Sequence, residues 1–195
     1  MRVAGVLGLL LIIVLCAFEA NHYDSAQPAK YIKVDSSIYV KFRGEPKRYF
    51  YQTPLGDVTI FEYKPEPEAA DSNCLYSVAI YKPPMGEPGT QTLPTTAADL
   101  LFNSLITSEE TGLYSIGGKI LSKNEFTDDN RSGIRYKVLF TGLTEMNQIE
   151  GLKDVVYNVK YLKYKGAVIK MWVYTALNKE NKALEDFFSN LKFNM

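Results

Sequence analysis

The stretch that decides the fold is VVYNVKYLKYKGAVIKMWVYT, residues 155–175. In its second half Ala167, Ile169, Met171 and Val173 occupy every other position, which is the period of a β-strand with one apolar face. Lys165-Gly166 interrupts the run with a two-residue turn signal. The stretch therefore predicts a β-hairpin in which residues 155–164 pair antiparallel with residues 167–175.

Further strands and two helices are predicted on both sides of this hairpin. Strand patterns begin at residue 31 and recur at 38–42, 49–52, 58–63, 75–82, 118–126 and 134–141. One amphipathic helix is predicted to start at Thr95 or Thr96 and to end at Gly112, and another to follow Asn178. Both helices need an apolar surface to cover. The predicted fold class is therefore α+β, an antiparallel β-sheet with two amphipathic helices packed on it as an α/β/α sandwich.

The N-terminal segment predicts export. Arg2 gives a positive start, residues 3–15 contain no charged residue, and Glu19 then breaks the apolar run. The run is shorter than the roughly 20 residues that a membrane-spanning helix needs. We therefore expect residues 1–20 to be a signal peptide or lipoprotein signal, and the polar residues 21–30 to be a flexible tether.

Cys16 leaves three fates open for this segment. It closes the run Ile13-Val14-Leu15-Cys16, which resembles a lipobox except that Leu15 stands where the motif has a small residue. Cys16 is discarded with a cleaved signal peptide, kept as a lipidated anchor, or part of an uncleaved anchor. The expected location is periplasmic, secreted or, as a lipoprotein, membrane-anchored. Membrane contact is expected only through the N-terminal segment or a lipid on Cys16.

Length and charge describe one neutral domain. The chain has 195 residues, so residues 31–195 fit a single domain. Its 22 basic residues balance 22 acidic residues, which argues against nucleic acid as a partner. Cys74 is expected to be a buried thiol, without a disulfide partner unless Cys16 is retained.

Sequence motifs for catalysis and cofactors are lacking. The single histidine, His22, lies in the predicted tether, which argues against Ser-His-Asp, Cys-His and His/Cys zinc sites. Gly117-Gly118-Lys119 lacks the earlier glycine and the following helix of a phosphate-binding loop. We therefore expect no cofactor, no metal and no assignable catalytic residue.

Acidic residues provide the alternative hypothesis, an enzyme. The candidate pairs are Glu66/Glu68, Glu109-Glu110 and Asp128-Asp129. Each lies at a predicted helix end or in a polar loop, where carboxylates are ordinarily solvated rather than engaged in acid–base catalysis. A carboxylate-dependent secreted enzyme of unknown reaction is therefore the second hypothesis.

Aromatic and basic side chains gather on the predicted hairpin and on the strand before it. Lys170, Trp172 and Tyr174 alternate with the apolar face of the second hairpin strand. Lys137 and Tyr161 occupy similar positions on the two preceding strands. If these strands are neighbours, the five side chains would form one partner-binding surface. The alternative interpretation is that a helix covers Trp172 and Tyr174 while the lysines extend outward.

Several turn and core motifs resemble those of a known superfamily. Phe42-Arg43-Gly44-Glu45-Pro46 resembles an F-P-G-x-P turn with Arg43 in place of proline, Thr53-Pro54-Leu55-Gly56 resembles a T-P-x-G turn, and residues 187–193 resemble a closing F-x-x-S-F-K. On these motifs the chain resembles the PsbP-like superfamily of α/β/α sandwich proteins, in an exported bacterial branch. The resemblance implies an accessory or docking role without a shared catalytic site, and a fold alone does not assign a function.

The sequence therefore predicts a non-enzymatic binding or accessory module of the cell envelope. Its partner would be an envelope protein or a small ligand. It would be held by the surface around Trp172 or by the proline- and glycine-rich loop at residues 83–94. A purely structural secreted domain is the third hypothesis.

Overall fold

Two antiparallel sheets and two helices make up the part of the chain that the structure describes. In this computed structural model that part comprises residues 30–67, 69, 74–83, 94–128, 131–141, 154–176 and 182–193. The predicted signal segment with Cys16 lies outside it, as do residues 21–29 of the predicted tether and residues 84–93 of the proline-rich loop.

The elements alternate in a pattern close to the predicted one. Their order is β1 Lys30–Asp35, β2 Ile38–Phe42, β3 Lys47–Thr53, β4 Gly56–Tyr63, β5 Leu75–Lys82, α1 Pro94–Ser115, β6 Lys119–Asp128, β7 Arg131–Thr141, β8 Asp154–Tyr164, β9 Ala167–Ala176, α2 Lys182–Ser189 and β10 Leu191–Phe193. Every predicted strand overlaps one of these elements, and the strand predicted at 118–126 begins one residue before β6. β10 was not predicted, because three residues are too few to show a strand period.

The hairpin of β8 and β9 lies near the middle of a large sheet. The strand order of this sheet is β3-β4-β5-β9-β8-β7-β6, and all of its neighbouring strands are antiparallel. Lys165 and Gly166 connect the hairpin with positive φ angles of 46° and 77°, as a twisted two-residue turn requires. The predicted hairpin is confirmed.

The large sheet buries a separate core on each of its faces. Val168 and Trp172 of β9 lie on one face together with Leu101 and Leu105 of α1, and we call this the α1 face. Residues at the intervening positions, such as Met171, lie on the opposite face with apolar side chains of α2, and we call this the α2 face. Both faces of β9 therefore lie in a hydrophobic core, rather than one face in a core and the other in solvent.

The α2 face is also covered by a second sheet. This small sheet has the order β1-β2-β10, and its Ile38, Val40 and Phe42 are buried against the large sheet. Leu191 of β10 pairs with Val40 of β2, so β10 lies beside β2 in this sheet. The fold is therefore α+β with two helices, as predicted. It departs from a simple α/β/α sandwich because its third layer combines a helix with three strands.

Helix α1 continues past its predicted end at Gly112 to Ser115. The backbone N–H of Gly118 donates to the carbonyl of Leu113 at 2.8 Å, and the N–H of Gly117 donates to the carbonyl of Tyr114 at 3.2 Å. Gly117 has a φ of 76°. These two bonds and the left-handed glycine form a Schellman motif, so the helix ends at the second glycine signal rather than at the first. Neither described helix is long and apolar enough to cross a membrane.

Candidate functional site

A buried carboxylate joins α1 to the middle of the large sheet. Glu109 accepts hydrogen bonds from the Tyr157 hydroxyl at 2.6 Å, from the Tyr161 hydroxyl at 2.8 Å and from Lys170 Nζ at 2.8 Å. The Glu109 and Lys170 side chains are only 15% and 10% exposed. The carboxylate therefore forms a buried ion pair with two additional donors, which is the arrangement that a charge in a protein interior needs.

Hydrogen bonding keeps Glu109 in its charged form. Burial alone would raise the pKa of this carboxyl, but the charge and hydrogen bond of Lys170 and the hydroxyls of Tyr157 and Tyr161 together lower it. The same site raises the pKa of both tyrosines well above the usual value, through burial first and the neighbouring carboxylate second. Near neutral pH, Glu109 therefore stays a carboxylate and both tyrosines stay neutral phenols.

Aromatic rings surround the Lys170 ammonium. Its Nζ lies 5.0 Å from the ring centroid of Trp172, 5.4 Å from that of Tyr161 and 5.8 Å from that of Tyr157. These distances are within the range of cation–π attraction, which strengthens where water is excluded. The charged groups and hydroxyls of the cluster pair with one another, which is typical of a structural role.

Other acidic residues of α1 also bind the sheet. Glu110 Oε1 accepts from Tyr136 and Lys123, both at 2.7 Å, and Asp99 pairs with Lys163 of β8. The expectation that Glu109 and Glu110 are solvated is therefore wrong for Glu109. It is only partly correct for Glu110, whose carboxylate also binds side chains of the sheet. The helix has a polar stripe that is directed at tyrosines and lysines of the sheet, so its position is fixed by charge as well as by apolar packing.

The predicted partner-binding residues do not form one exposed surface. Lys170, Trp172 and Tyr161 lie on the α1 face and are buried, with Trp172 only 6% exposed, and Tyr174 is half-buried beside them. Lys137 lies on the α2 face, because it pairs with Asn158, which pairs in turn with Val173. The alternative interpretation, in which a helix covers Trp172, describes the geometry. Cys16 lies outside the described residues.

A second buried carboxyl lies on the α1 face, toward β3. Glu62 of β4 is 9% exposed and pairs across the strands with Ser77 of β5, whose buried hydroxyl has no hydrogen-bond partner among the described residues. Burial raises the pKa of Glu62 to about 7, and Lys47 opposes the shift only in part. Glu62 therefore changes charge close to neutral pH.

A pocket of about 160 Å³ opens on the α2 face, between β2 and α2; we call it the β2–α2 pocket. Its aromatic lining consists of Phe42, Tyr63, Tyr76 and Phe187. The Tyr76 and Phe187 centroids are 5.1 Å apart at 64°, and the Tyr63 and Tyr76 rings are stacked at 6.3 Å. These rings pack against one another, and Phe42, Tyr76 and Phe187 are almost fully buried, so they expose little apolar area to the pocket.

Charged and polar groups form the rim of the β2–α2 pocket. Lys41 lies in β2 and Arg43 follows that strand, whereas Asp186 lies in the last turn of α2 and Asn190 follows that helix. The backbone N–H of Lys41 donates to the carbonyl of Asn190 at 3.3 Å, which ties the two sides together. Apolar walls with a few placed polar groups are the usual composition of a small-molecule site.

Sequence reasoning did not identify this pocket, although one signal was available. Gly44 follows Arg43 in the turn that resembles F-P-G-x-P, and a Cβ on it would lie 2.5 Å from the Tyr63 ring. The turn motif therefore allows β2 to end against an aromatic side chain of the pocket. No group of three or more histidine, cysteine or acidic residues suited to a metal ion occurs among the described residues.

No family model and no curated protein matches the sequence. Among solved structures, the chain is similar to CyanoP, the cyanobacterial PsbP of Synechocystis sp., with 11% identity, coverage of 91% of this chain and 99% of that chain, and a TM-score of 0.48. It is also similar to the Ran-binding protein Mog1p of Saccharomyces cerevisiae, with 8% identity, coverage of 87% and 96%, and a TM-score of 0.46. A protein of unknown function from Pseudomonas aeruginosa matches with 12% identity, coverage of 69% and 85%, and a TM-score of 0.34. These likenesses concern general architecture, and none carries an argument about function.

Proposed function

We propose that the chain is an exported, non-enzymatic binding module that holds a small ligand in the β2–α2 pocket. The observation that carries this proposal is the composition of the pocket, whose lining joins aromatic residues to charged and polar residues around about 160 Å³. Small-molecule sites combine a concave shape with a few polar groups, and the lining of this pocket includes both aromatic and polar residues.

Catalysis is less well supported at this pocket. Among the described residues, its lining contains one carboxylate, Asp186, and no histidine, serine or cysteine. General acid–base chemistry on a bound molecule ordinarily needs two groups with different proton affinities at the same site. Glu109 cannot supply the second group, because its oxygens already accept three hydrogen bonds beneath α1.

A small ligand is preferred over docking through the surface around Trp172. Trp172, Tyr161 and Lys170 are buried in the described part of the chain, so a macromolecular partner would first have to displace α1. Displacing α1 would break the Glu109–Lys170 ion pair. Residues 84–93 of the proline-rich loop lie outside the described residues and carry no part of this proposal.

Export and the PsbP-like relationship belong to the same proposal. The positive start, apolar run and polar exit of residues 1–20 support export, and the turns at Gly44 and Gly56 support membership in the PsbP-like superfamily. Mass spectrometry of the cell-purified protein tests export: a chain that begins after residue 16, or at a diacylglyceryl Cys16, is the expected result. A full-length chain confined to the cytoplasm would contradict it.

The binding role is tested by a fragment screen observed by NMR on the isotopically labelled chain. The expected result is that at least one class of fragment shifts signals of Phe42, Tyr76 and Phe187, while signals of Tyr161 and Trp172 stay in place. A screen in which no fragment perturbs the pocket signals would overturn the proposal.

An enzyme at Glu62 is the second candidate. The pKa of about 7 at Glu62 lies in the range that suits a general acid or base, and the neighbouring strand carries Ser77, whose hydroxyl has no partner among the described residues. This candidate predicts a hydrolytic activity that Glu62→Gln abolishes while the fold is retained. An activity panel that is negative for the unaltered protein counts against it.

A further inference from the structure

Strand β3 forms one edge of the large sheet, and Phe50 in the middle of this strand is 57% exposed. Among the described strands β4 alone pairs with β3, so the outer side of β3 carries backbone N–H and carbonyl groups that face no other strand. The pairing with β4 runs from Lys47 to Thr53 without a shift in register. The seven residues of β3 therefore present an uninterrupted edge about 24 Å long.

The opposite edge of the sheet is protected in ways that β3 is not. β6 has a register shift between Ile120 and Ser122, and charged residues recur along its whole length. A bulge and charges spread along a strand both prevent edge-to-edge pairing. In β3 the two charged residues, Lys47 and Arg48, occupy the first two positions, and the other five residues are uncharged. β3 is therefore the edge of this sheet that is open to a further strand.

We propose that β3 pairs antiparallel with the β3 strand of a second copy of this chain, with Phe50 on the two-fold axis. Centring the pair on Phe50 uses all seven residues of the strand, whereas any other centre leaves some of them unpaired. The contact is then isologous, as in closed two-fold dimers, and the two large sheets continue into one another. This inference is independent of the β2–α2 pocket, so the failure of one leaves the other standing.

The charges of β3 favour the antiparallel arrangement. With Phe50 on the axis, Arg48 faces Gln52 of the second copy and Lys47 faces Thr53, so each cation meets an uncharged polar side chain. The two Arg48 residues are then four positions apart along the strands, about 14 Å, which exceeds the screening length of about 8 Å at physiological salt. A parallel pair in register would instead place Arg48 opposite Arg48 and Lys47 opposite Lys47, and like charges directly opposite are destabilising.

Aromatic side chains provide the attractive contact between the two strands. Phe50 lies on the α2 face, two positions from Arg48, which pairs with Phe61 of the core on that face. Tyr49 and Tyr51 lie half-buried on the α1 face, and each of them faces the other residue in the second copy. Aromatic pairs directly across neighbouring strands are favourable, and the exposed Phe50 ring of each copy would leave water.

Analytical ultracentrifugation of the full chain, purified from cells that express it, tests for the dimer. Sedimentation is followed at protein concentrations from about 5 to 500 μM, because a contact of one strand edge is small and is expected to dissociate in the micromolar range. The expected result is a monomer–dimer equilibrium within this range. A chain that stays monomeric at the highest concentration would overturn the proposal.

Two substitutions at the same position test whether Phe50 lies on the axis. Phe50→Lys and Phe50→Glu each place two like charges opposite one another, so each should raise the dissociation constant at least about tenfold. Because residue 50 meets its own copy, an equimolar mixture of the two variants pairs an ammonium with a carboxylate. The mixture should therefore associate at least about fivefold more tightly than either variant alone. A mixture that associates no better than its components would overturn the placement of Phe50 on the axis.

Leu121→Lys is the matched control, because Leu121 is an exposed apolar residue of the other edge strand, β6, with 44% of its surface exposed. This variant should dimerise like the unaltered protein. Thermal unfolding followed by circular dichroism should show that Leu121→Lys and Phe50→Lys both keep the fold, since both replaced side chains are exposed. Equal weakening in the two variants would show a general charge effect. An undiminished dimer in Phe50→Lys would show association through a different surface, and either result overturns the proposal.

Discussion

Glu109 of α1 and Lys170 of β9 form an ion pair of 2.8 Å within the interface between helix and sheet. The pair lies between residues that are 61 positions apart in the chain. The hydroxyls of Tyr157 and Tyr161 also donate to the carboxylate, so Glu109 accepts hydrogen bonds from three side chains. Such a pair contributes more to the position of the helix than to net stability, because desolvation of two charges offsets much of their attraction.

Removing one partner of this pair is expected to be costly. Glu109→Gln leaves the Lys170 ammonium buried without a counter-charge, and we expect the free energy of unfolding to fall by about 3–5 kcal/mol. The double variant Glu109→Gln/Lys170→Met removes both charges and should be more stable than Glu109→Gln alone. Urea unfolding followed by circular dichroism measures both differences.

The exposed Arg135–Glu185 pair is the matched control for this prediction. Its side chains are 34% and 62% exposed, and its contact is 2.6 Å. Glu185→Gln should therefore cost less than about 1 kcal/mol. A loss for Glu109→Gln as small as the loss for Glu185→Gln would contradict a buried, mutually dependent pair.

Removal of the Tyr157 and Ser77 hydroxyls on the α1 face should change the free energy of unfolding by different amounts, because their partners differ. Tyr157 donates to a carboxylate at 2.6 Å, so Tyr157→Phe is expected to cost about 1.5–3 kcal/mol. The buried Ser77 hydroxyl has no partner among the described residues, so Ser77→Ala should be neutral or stabilising by about 1 kcal/mol. Urea midpoints of the two variants measure the contrast, and a destabilised Ser77→Ala would reveal a partner for that hydroxyl.

The sequence predicted the strands and the hairpin well because a period of two is a local property. It placed Lys170 and Trp172 on one face of their strand for the same reason, and the structure brings them together with Tyr161 of the neighbouring strand. Lys137 was misplaced because its face depends on the register between β7 and β8, which no single strand encodes. The prediction that Glu109 is solvated was wrong, because a helix pattern does not show which tyrosines of a distant strand its polar side chains will contact.

Glu62 should make stability depend on pH between about 4.5 and 7. Its pKa is raised from 4.5 to about 7 in the folded protein by burial. A raised folded pKa means that the folded state binds the proton more tightly, so this contribution is fully present below about pH 4.5 and is lost as the pH rises through 7. The size is about 3 kcal/mol, at 1.36 kcal/mol for each pKa unit.

Glu62→Gln tests this dependence by removing the titration while keeping the shape of the side chain. Urea unfolding at pH 5 and at pH 7.5 should show a smaller loss of stability in the variant than in the unaltered protein. Glu109 does not interfere, because its lowered pKa acts below about pH 4.5, where stability falls on acidification. The same pH slope in both proteins would contradict the assignment to Glu62.

Two glycines with positive φ should respond differently to alanine. Gly56 ends the turn that resembles T-P-x-G, with a φ of 117°, and a Cβ there would lie 2.0 Å from the carbonyl oxygen of Lys82. Gly117 has a φ of 76°, and a Cβ there would meet nothing within 4 Å. Gly117→Ala therefore carries only the left-handed backbone penalty of about 1–2 kcal/mol. Gly56→Ala must also separate β4 from the end of β5, so we expect it to cost at least about 2 kcal/mol more. Thermal unfolding of both variants measures the difference. Equal losses of stability would mean that β4 and β5 move apart at this contact at no cost in free energy.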